Sequence, residues 1–173
     1  MSRLGEMAAL TEQIIRSLAK AFSDGGVASE ARMSELYAFA FFVVSHTVML
    51  KQAHWHDLPT ELQEFGDVMA TAIRLQANPL AGPYDATKGI GDADIRQFLG
   101  LVDERIPEYE TIFVQKMAQR QAPWLGLSGS LVNHTIDPRS REQPGPRLQV
   151  VLSLQIAADF VHAAKVLFPN ETK

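Results

Sequence analysis

Residues 34–58, SELYAFAFFVVSHTVMLKQAHWHDL, decide how this chain folds. From Leu36 to Val44 the run is apolar without a break. A helix that is apolar on most sides belongs at the centre of a helical bundle, because no single face of it is suited to water. The same stretch carries His46, His54 and His56, three of the five histidines in the chain. A buried imidazole needs a hydrogen-bond partner, a carboxylate or a metal, since an unsatisfied polar group in a core costs on the order of 1–3 kcal/mol.

Outward from this segment the pattern stays helical. Leu4, Met7, Ile14, Leu18 and Phe22 recur at the 3.6-residue period, with Leu10, Thr11 and Ile15 alongside. Ser23-Asp24-Gly25-Gly26 stops that helix, and Ser29 suits the cap of the next, which is expected from about residue 30 to about residue 57. Pro59 interrupts, and Thr60 to Gln63 has capping-box spacing. A third helix burying Leu62, Phe65, Met69 and Ile73 should end before Asn78-Pro79. Residues 78–91 hold two prolines and three glycines and read as a loop. The glycines at 89 and 91 follow no strand, so they do not make a phosphate-cradling turn.

The fourth helix opens at Asp92 and Asp94 and sets Ile95, Phe98, Leu99, Val102, Ile106, Tyr109 and Phe113 on one face. Pro107 falls inside it and is expected to kink or break it. Residues 121–131 suit a short helix, 132–147 an irregular linker, and 147–168 a last helix. No segment alternates with period two. The chain, residues 1–173, is therefore expected to be one all-α domain, an up-down bundle of four long helices plus a shorter or kinked element.

Composition narrows the function. There is no cysteine, which excludes disulfides, thiolate metal clusters and cysteine nucleophiles, and which suits the cytoplasm. Glu6 and Glu12 stand where a signal peptide would be apolar, and no apolar run reaches the length of a membrane span. Residues 57–119 carry eleven acidic and five basic side chains, which argues against nucleic acid as a partner. Ser45, Ser128 and Ser153 lack a nucleophile-elbow context.

The candidate chemistry lies on two helices. His54 shares a helical line with Leu36, Val43, Thr47 and Leu50, and His46 lies on its flank. His46 and His54 are eight residues apart, roughly 12 Å along a helix, so one ion cannot span them. Other ligands would come from the last helix, whose titratable side chains between Leu148 and Phe168 are Asp159, His162 and Lys165. Asp159 and His162 lie one turn apart, beside Gln155 on a polar line. Val150, Leu154, Ala157, Val161 and Phe168 make one apolar stripe on the other side, while Leu148, Val151, Leu152, Ile156 and Val166 flank the polar line. Carboxylate-x-x-His on facing helices is how di-iron bundles build their centres. The same pair also suits an oriented general base, or a plain surface contact. Glu61, Glu64 and Asp67 read as the wet face of the third helix, and His134 falls in the expected linker.

Residues 46–56, HTVMLKQAHWH, and above all Lys51-Gln52-Ala53-His54-Trp55, resemble the end of the first bundle helix of Dps-type ferritins. In that family the histidine of the His-Trp pair is an iron ligand at a dimer interface, a role the resemblance maps onto His54. Those ferritins continue with Gly-Pro-x-Phe and then a His and an Asp at helical spacing. Here the chain runs HDLPTELQEFGDVMATAI, with Gly66 and Ala70 near the ligand positions, so most of the ferroxidase site is missing. DinB-type bundles, with three histidines on separate helices, are similar through His54 and His162.

Two readings follow. One is a non-catalytic, homo-oligomeric bundle that binds a protein or small-molecule partner, with no nucleic acid and no membrane. It rests on an apparent apolar excess at Phe39, Phe41, Phe42, Trp55 and the fourth helix. The other is a metal-binding bundle holding iron, manganese or zinc with His54, Asp159 and His162, and more weakly His46.

Overall fold

A computed structural model of the chain describes residues 2–25, 33–51, 58–77, 93–136 and 144–170. Six helices and no strand occur among them: α1 Arg3–Asp24, α2 Met33–Lys51, α3 Leu58–Ala77, α4 Ala93–Ala118, α5 Trp124–Thr135 and α6 Pro146–Leu167. Five of these run 19 to 26 residues and α5 runs 12, so there are five long helices where four were expected.

Local sequence accounts for most helix ends. Ser2 caps α1, its Oγ accepting the Gly5 N–H at 3.2 Å. Gly145 precedes Pro146 at the start of α6, where a missing N–H costs nothing. After α4 the Arg120 N–H donates to the Met117 carbonyl and the Gln121 N–H to the Lys116 carbonyl, at 3.0 and 2.9 Å. This is a Schellman closure, with Arg120 at φ 55° where glycine is usual. Pro107 lies inside α4 without ending it, and Thr111 Oγ1 donates to the Pro107 carbonyl at 2.7 Å. The helix survives because its buried face, Ile95, Phe98, Tyr109 and Phe113, continues across the proline. The residues expected to form a linker from 132 begin instead with the last turn of α5, since Leu131, Val132 and Thr135 find core contacts.

α2 is the central helix. Glu35, Leu36 and every residue from Ala38 to Val48 are buried. Phe39, Phe41 and Phe42 are thus absorbed by the core: Phe39 and Phe42 pack on Tyr109 of α4, and Phe41 stacks on Phe65 of α3 at 4.7 Å. The aromatic excess at these positions is core filling rather than a surface. One contiguous apolar cluster draws on all six helices. Contacts give the helix directions. Arg3 lies 4.9 Å over the Phe168 ring, and a Cβ on Gly25 would meet Leu148 Cδ1 at 2.5 Å, so α1 and α6 run antiparallel and touch closely at that glycine. Phe113 meets Trp124 while Glu108 meets His134, so α5 returns along α4.

α6 carries apolar residues on two faces and buries one. Its buried residues are Leu148, Leu152, Ile156, Asp159, Phe160, Ala163 and Leu167. Val150, Leu154 and Val161 of the other stripe point out, exposed by 52, 68 and 52%. α2 and α6 are both long and apolar enough to cross a membrane, but 72% of the apolar window of α2 is buried against 33% for α6. α2 is therefore accounted for as a core helix. α6 keeps an apolar face without a partner among the described residues.

Candidate functional site

His46 sits one turn after Phe42 on α2 and is 5% exposed. Its ring lies 5.0 Å from Phe42, 4.5 Å from Phe113 of α4 and 6.3 Å, edge-on, from Phe160 of α6. Trp124, the first residue of α5, stands behind, 6.0 Å from Phe113 and 5.1 Å from Phe160. Four helices therefore each place an aromatic side chain around one imidazole. Neither Nδ1 nor Nε2 has a hydrogen-bond partner among the described residues. Burial lowers the His46 pKa to about 4, so the ring is neutral at ordinary pH. A neutral imidazole offers one donor and one acceptor, both unused among the described residues.

A cavity of about 220 Å³ adjoins this box and shares Phe113, Phe160 and Trp124 with it. Thr47, Leu50, Val161 and Ala164 complete its apolar wall, and Lys51 stands at its lining. Thr47 directs its hydroxyl hydrogen at the Val43 carbonyl, 2.7 Å away, so its presence adds no donor to the cavity. The cavity and box together have the composition of a small-molecule site, mostly apolar with few polar groups.

A second cluster joins α2, α4 and α5. Arg105 grips Glu35 bidentately, Nε to Oε2 at 3.0 Å and Nη2 to Oε1 at 3.1 Å, with Glu35 only 2% exposed. The Glu35 hydrogen bond raises the Arg105 pKa further. One turn on, Glu108 accepts hydrogen bonds from Ser130 Oγ and from His134 Nε2, the latter at 2.9 and 3.0 Å. Burial pushes the Glu108 carboxyl up, but the Ser130 and His134 hydrogen bonds and the His134 and Arg105 charges outweigh it, and the net shift is downward. Tyr109 is fully buried between these groups, with no partner for its hydroxyl among the described residues. Burial, then the Glu35 and Glu108 charges, raise its pKa. Both Ser130 and His134 point at the carboxylate, so the histidine does not activate the serine, and a nucleophilic triad is not formed. The sequence reading assigned His134 nothing. The signal was Ser130 and His134 one turn apart, but it needed Glu108 from a distant helix.

Of the expected metal ligands, Asp159, His162 and His46 lie among the described residues. Asp159 is buried and accepts from Ser17 Oγ at 3.2 Å to each oxygen and from Gln155 Nε2 at 2.9 Å. Burial raises its pKa to about 6 against the pull of those hydrogen bonds. His162 lies at the surface, its Nε2 3.1 Å from Gln13 Oε1. Both side chains thus engage α1 at different levels, rather than one another. His46 is the aromatic-boxed residue above, facing neither. His54, with His56 and Trp55, lies outside the described residues. Among the described residues no group of three or more His, Asp or Glu comes together as a metal site.

No family model, curated protein or solved structure matches this chain. The case for function rests on its own geometry.

Proposed function

We propose that this chain is a non-catalytic, homo-oligomeric helical bundle of up-down topology that binds a small, flat, apolar ligand against His46. One observation carries the reading: a buried imidazole with both nitrogens unpaired among the described residues, walled by Phe113 and Phe160, which together with Trp124 also line the neighbouring apolar cavity. An unsatisfied polar ring in a core costs stability, and such costs persist where a site needs the group. A ligand with one N–H or O–H gains a hydrogen bond to the imidazole, while its rings stack on Phe113, Trp124 and Phe160. The neutral state suits binding more than proton transfer, since a base poised for catalysis titrates near the working pH.

The oligomeric part of the reading rests on α6. Val150, Leu154 and Val161, with Leu125 of α5 and Leu50 of α2, are exposed apolar side chains. Contiguous exposed apolar surface of this kind marks interaction faces. The face contributes no carboxylate, since Asp159 turns inward.

Calorimetric titration with indole tests the ligand site. Saturable heat at one site per chain is expected, and it should vanish in His46→Leu while that variant stays folded. Equal heat in both proteins, or none in the wild type, overturns the reading.

A further inference from the structure

A second groove lies between α2, α3 and α4, has a volume of about 260 Å³ and shares no lining residue with the cavity beside His46. Its floor is apolar, formed by Phe41, Leu62, Val102 and Ile106. Every polar side chain among its described lining residues offers an acceptor. Asp103 and Glu110 stand seven residues apart on α4, two turns along one face, and both line it. Ser45 also lines it, but its hydroxyl hydrogen is committed to the Phe41 and Phe42 carbonyls at 2.7 and 3.2 Å, which leaves only oxygen lone pairs. Pro107 lies between the two carboxylates, and having no N–H it cannot give the Asp103 carbonyl its usual helical partner. Among the described residues no lysine, arginine or histidine lines the groove.

The charge of the two helices points the same way. α3 and α4 together carry eight acidic side chains and four basic ones. A field of that sign draws cations and repels anions. The complement of an apolar floor with an acceptor-only rim is an apolar body bearing a group that only donates. An ammonium is that group, with three donors and no acceptor.

We propose that this groove is a binding site for hydrophobic amines, the alkyl or arylalkyl chain lying on Phe41, Leu62, Val102 and Ile106 and the ammonium on the Asp103–Glu110 edge. The site is separate from the His46 cavity and does not depend on the ligand proposed there.

The test uses three probes of one length, hexylamine, 1-hexanol and hexanoate, at pH 7. Binding is followed by the methyl NMR signal of Met49, which lines the groove, with the core methyl of Met69 as a control for the fold. Hexylamine should shift Met49 saturably and bind at least tenfold more tightly than hexanol, with no binding of hexanoate. Asp103→Asn and Glu110→Gln should each weaken hexylamine severalfold and leave hexanol unchanged. Val102→Trp, which fills the groove, should abolish the Met49 shift. Hexanol binding as tightly as hexylamine, indifference to both carboxylate variants, or no saturable shift at all would each overturn the proposal. Indole heat lost in His46→Leu but a normal hexylamine response would show the two sites to be independent.

Discussion

Replacing His46 by leucine should make the protein more stable, and the gain should grow as the pH falls. The imidazole is 5% exposed and neither nitrogen has a partner among the described residues. Leaving a buried polar group unsatisfied costs about 1–3 kcal/mol, and an apolar side chain of similar size removes that cost. The second contribution is linkage. Folding lowers the His46 pKa from 6.5 to about 4, so the unfolded chain takes up a proton before the folded one does. Wild-type stability from this group is complete above pH 6.5 and is lost as the pH falls toward 4. At ~1.4 kcal/mol per pKa unit, the loss is about 3 kcal/mol. His46→Leu has no such group, and other acid effects cancel in the difference. The variant should therefore lead by ~1–3 kcal/mol at pH 7.5 and by ~4–6 kcal/mol near pH 4. Urea denaturation of both proteins at pH 7.5, 6, 5 and 4 measures this. A variant less stable than wild type by an amount that does not change with pH would mean that the imidazole is hydrogen-bonded and stabilising, and the argument for an unfilled site would fall with it.

Four further outcomes follow from the packing. Asp159→Asn keeps an oxygen for Gln155 and removes a carboxyl whose pKa is raised from 3.8 to about 6. The cost of ionising it is absent below pH 3.8, grows through the interval to 6 and is complete above it. The variant should match wild type near pH 3.5 and exceed it by up to ~3 kcal/mol at pH 7.5, and the same melts at those two pH values decide this. Arg105→Met strands the Glu35 carboxylate in the core and should cost ~3–5 kcal/mol by urea denaturation, much of it recovered when Glu35→Gln is added. Arg120→Gly relieves a left-handed residue at the end of α4 and should raise stability by ~1 kcal/mol, or about 2–4 °C in Tm, by calorimetry. Leu154→Glu places a charge in the exposed stripe of α6. Light scattering should find the wild type oligomeric and the variant monomeric. A monomeric wild type that floats with phosphatidylcholine vesicles would instead give that face to lipid.

Much of the architecture was legible in residue order. The stripe from Met7 to Phe22 specified α1, and the unbroken apolar run after Leu36 placed α2 at the centre, because helix formation and amphipathicity are local properties. The turn signal at Ser23 to Gly25 bounded α1 for the same reason. α6 shows where local reading stops. Val150, Leu154 and Val161 form one apolar stripe, and Leu148, Leu152 and Ile156 form another, and periodicity cannot rank them. Packing against α1 and α5 chose the second, and it carried Asp159 inside because Ser17 and Gln155 supply hydrogen bonds there.

The candidate sites follow the same division. That His46 would be buried was implied by its neighbours on α2. That its surroundings would be Phe113, Trp124 and Phe160, with no polar partner among the described residues, depended on three other helices. His134 became an anchored residue only when α5 folded back along α4 to meet Glu108. Asp103 and Glu110 come beside an apolar floor only because Phe41 of α2 and Leu62 of α3 line the same groove. The sequence alone determined which segments are helices and which of them is central, since those choices depend on residues within a few turns. Which face each helix buries, and which side chains meet across it, was decided by the tertiary structure, because burial free energy is gained only when separate helices pack together.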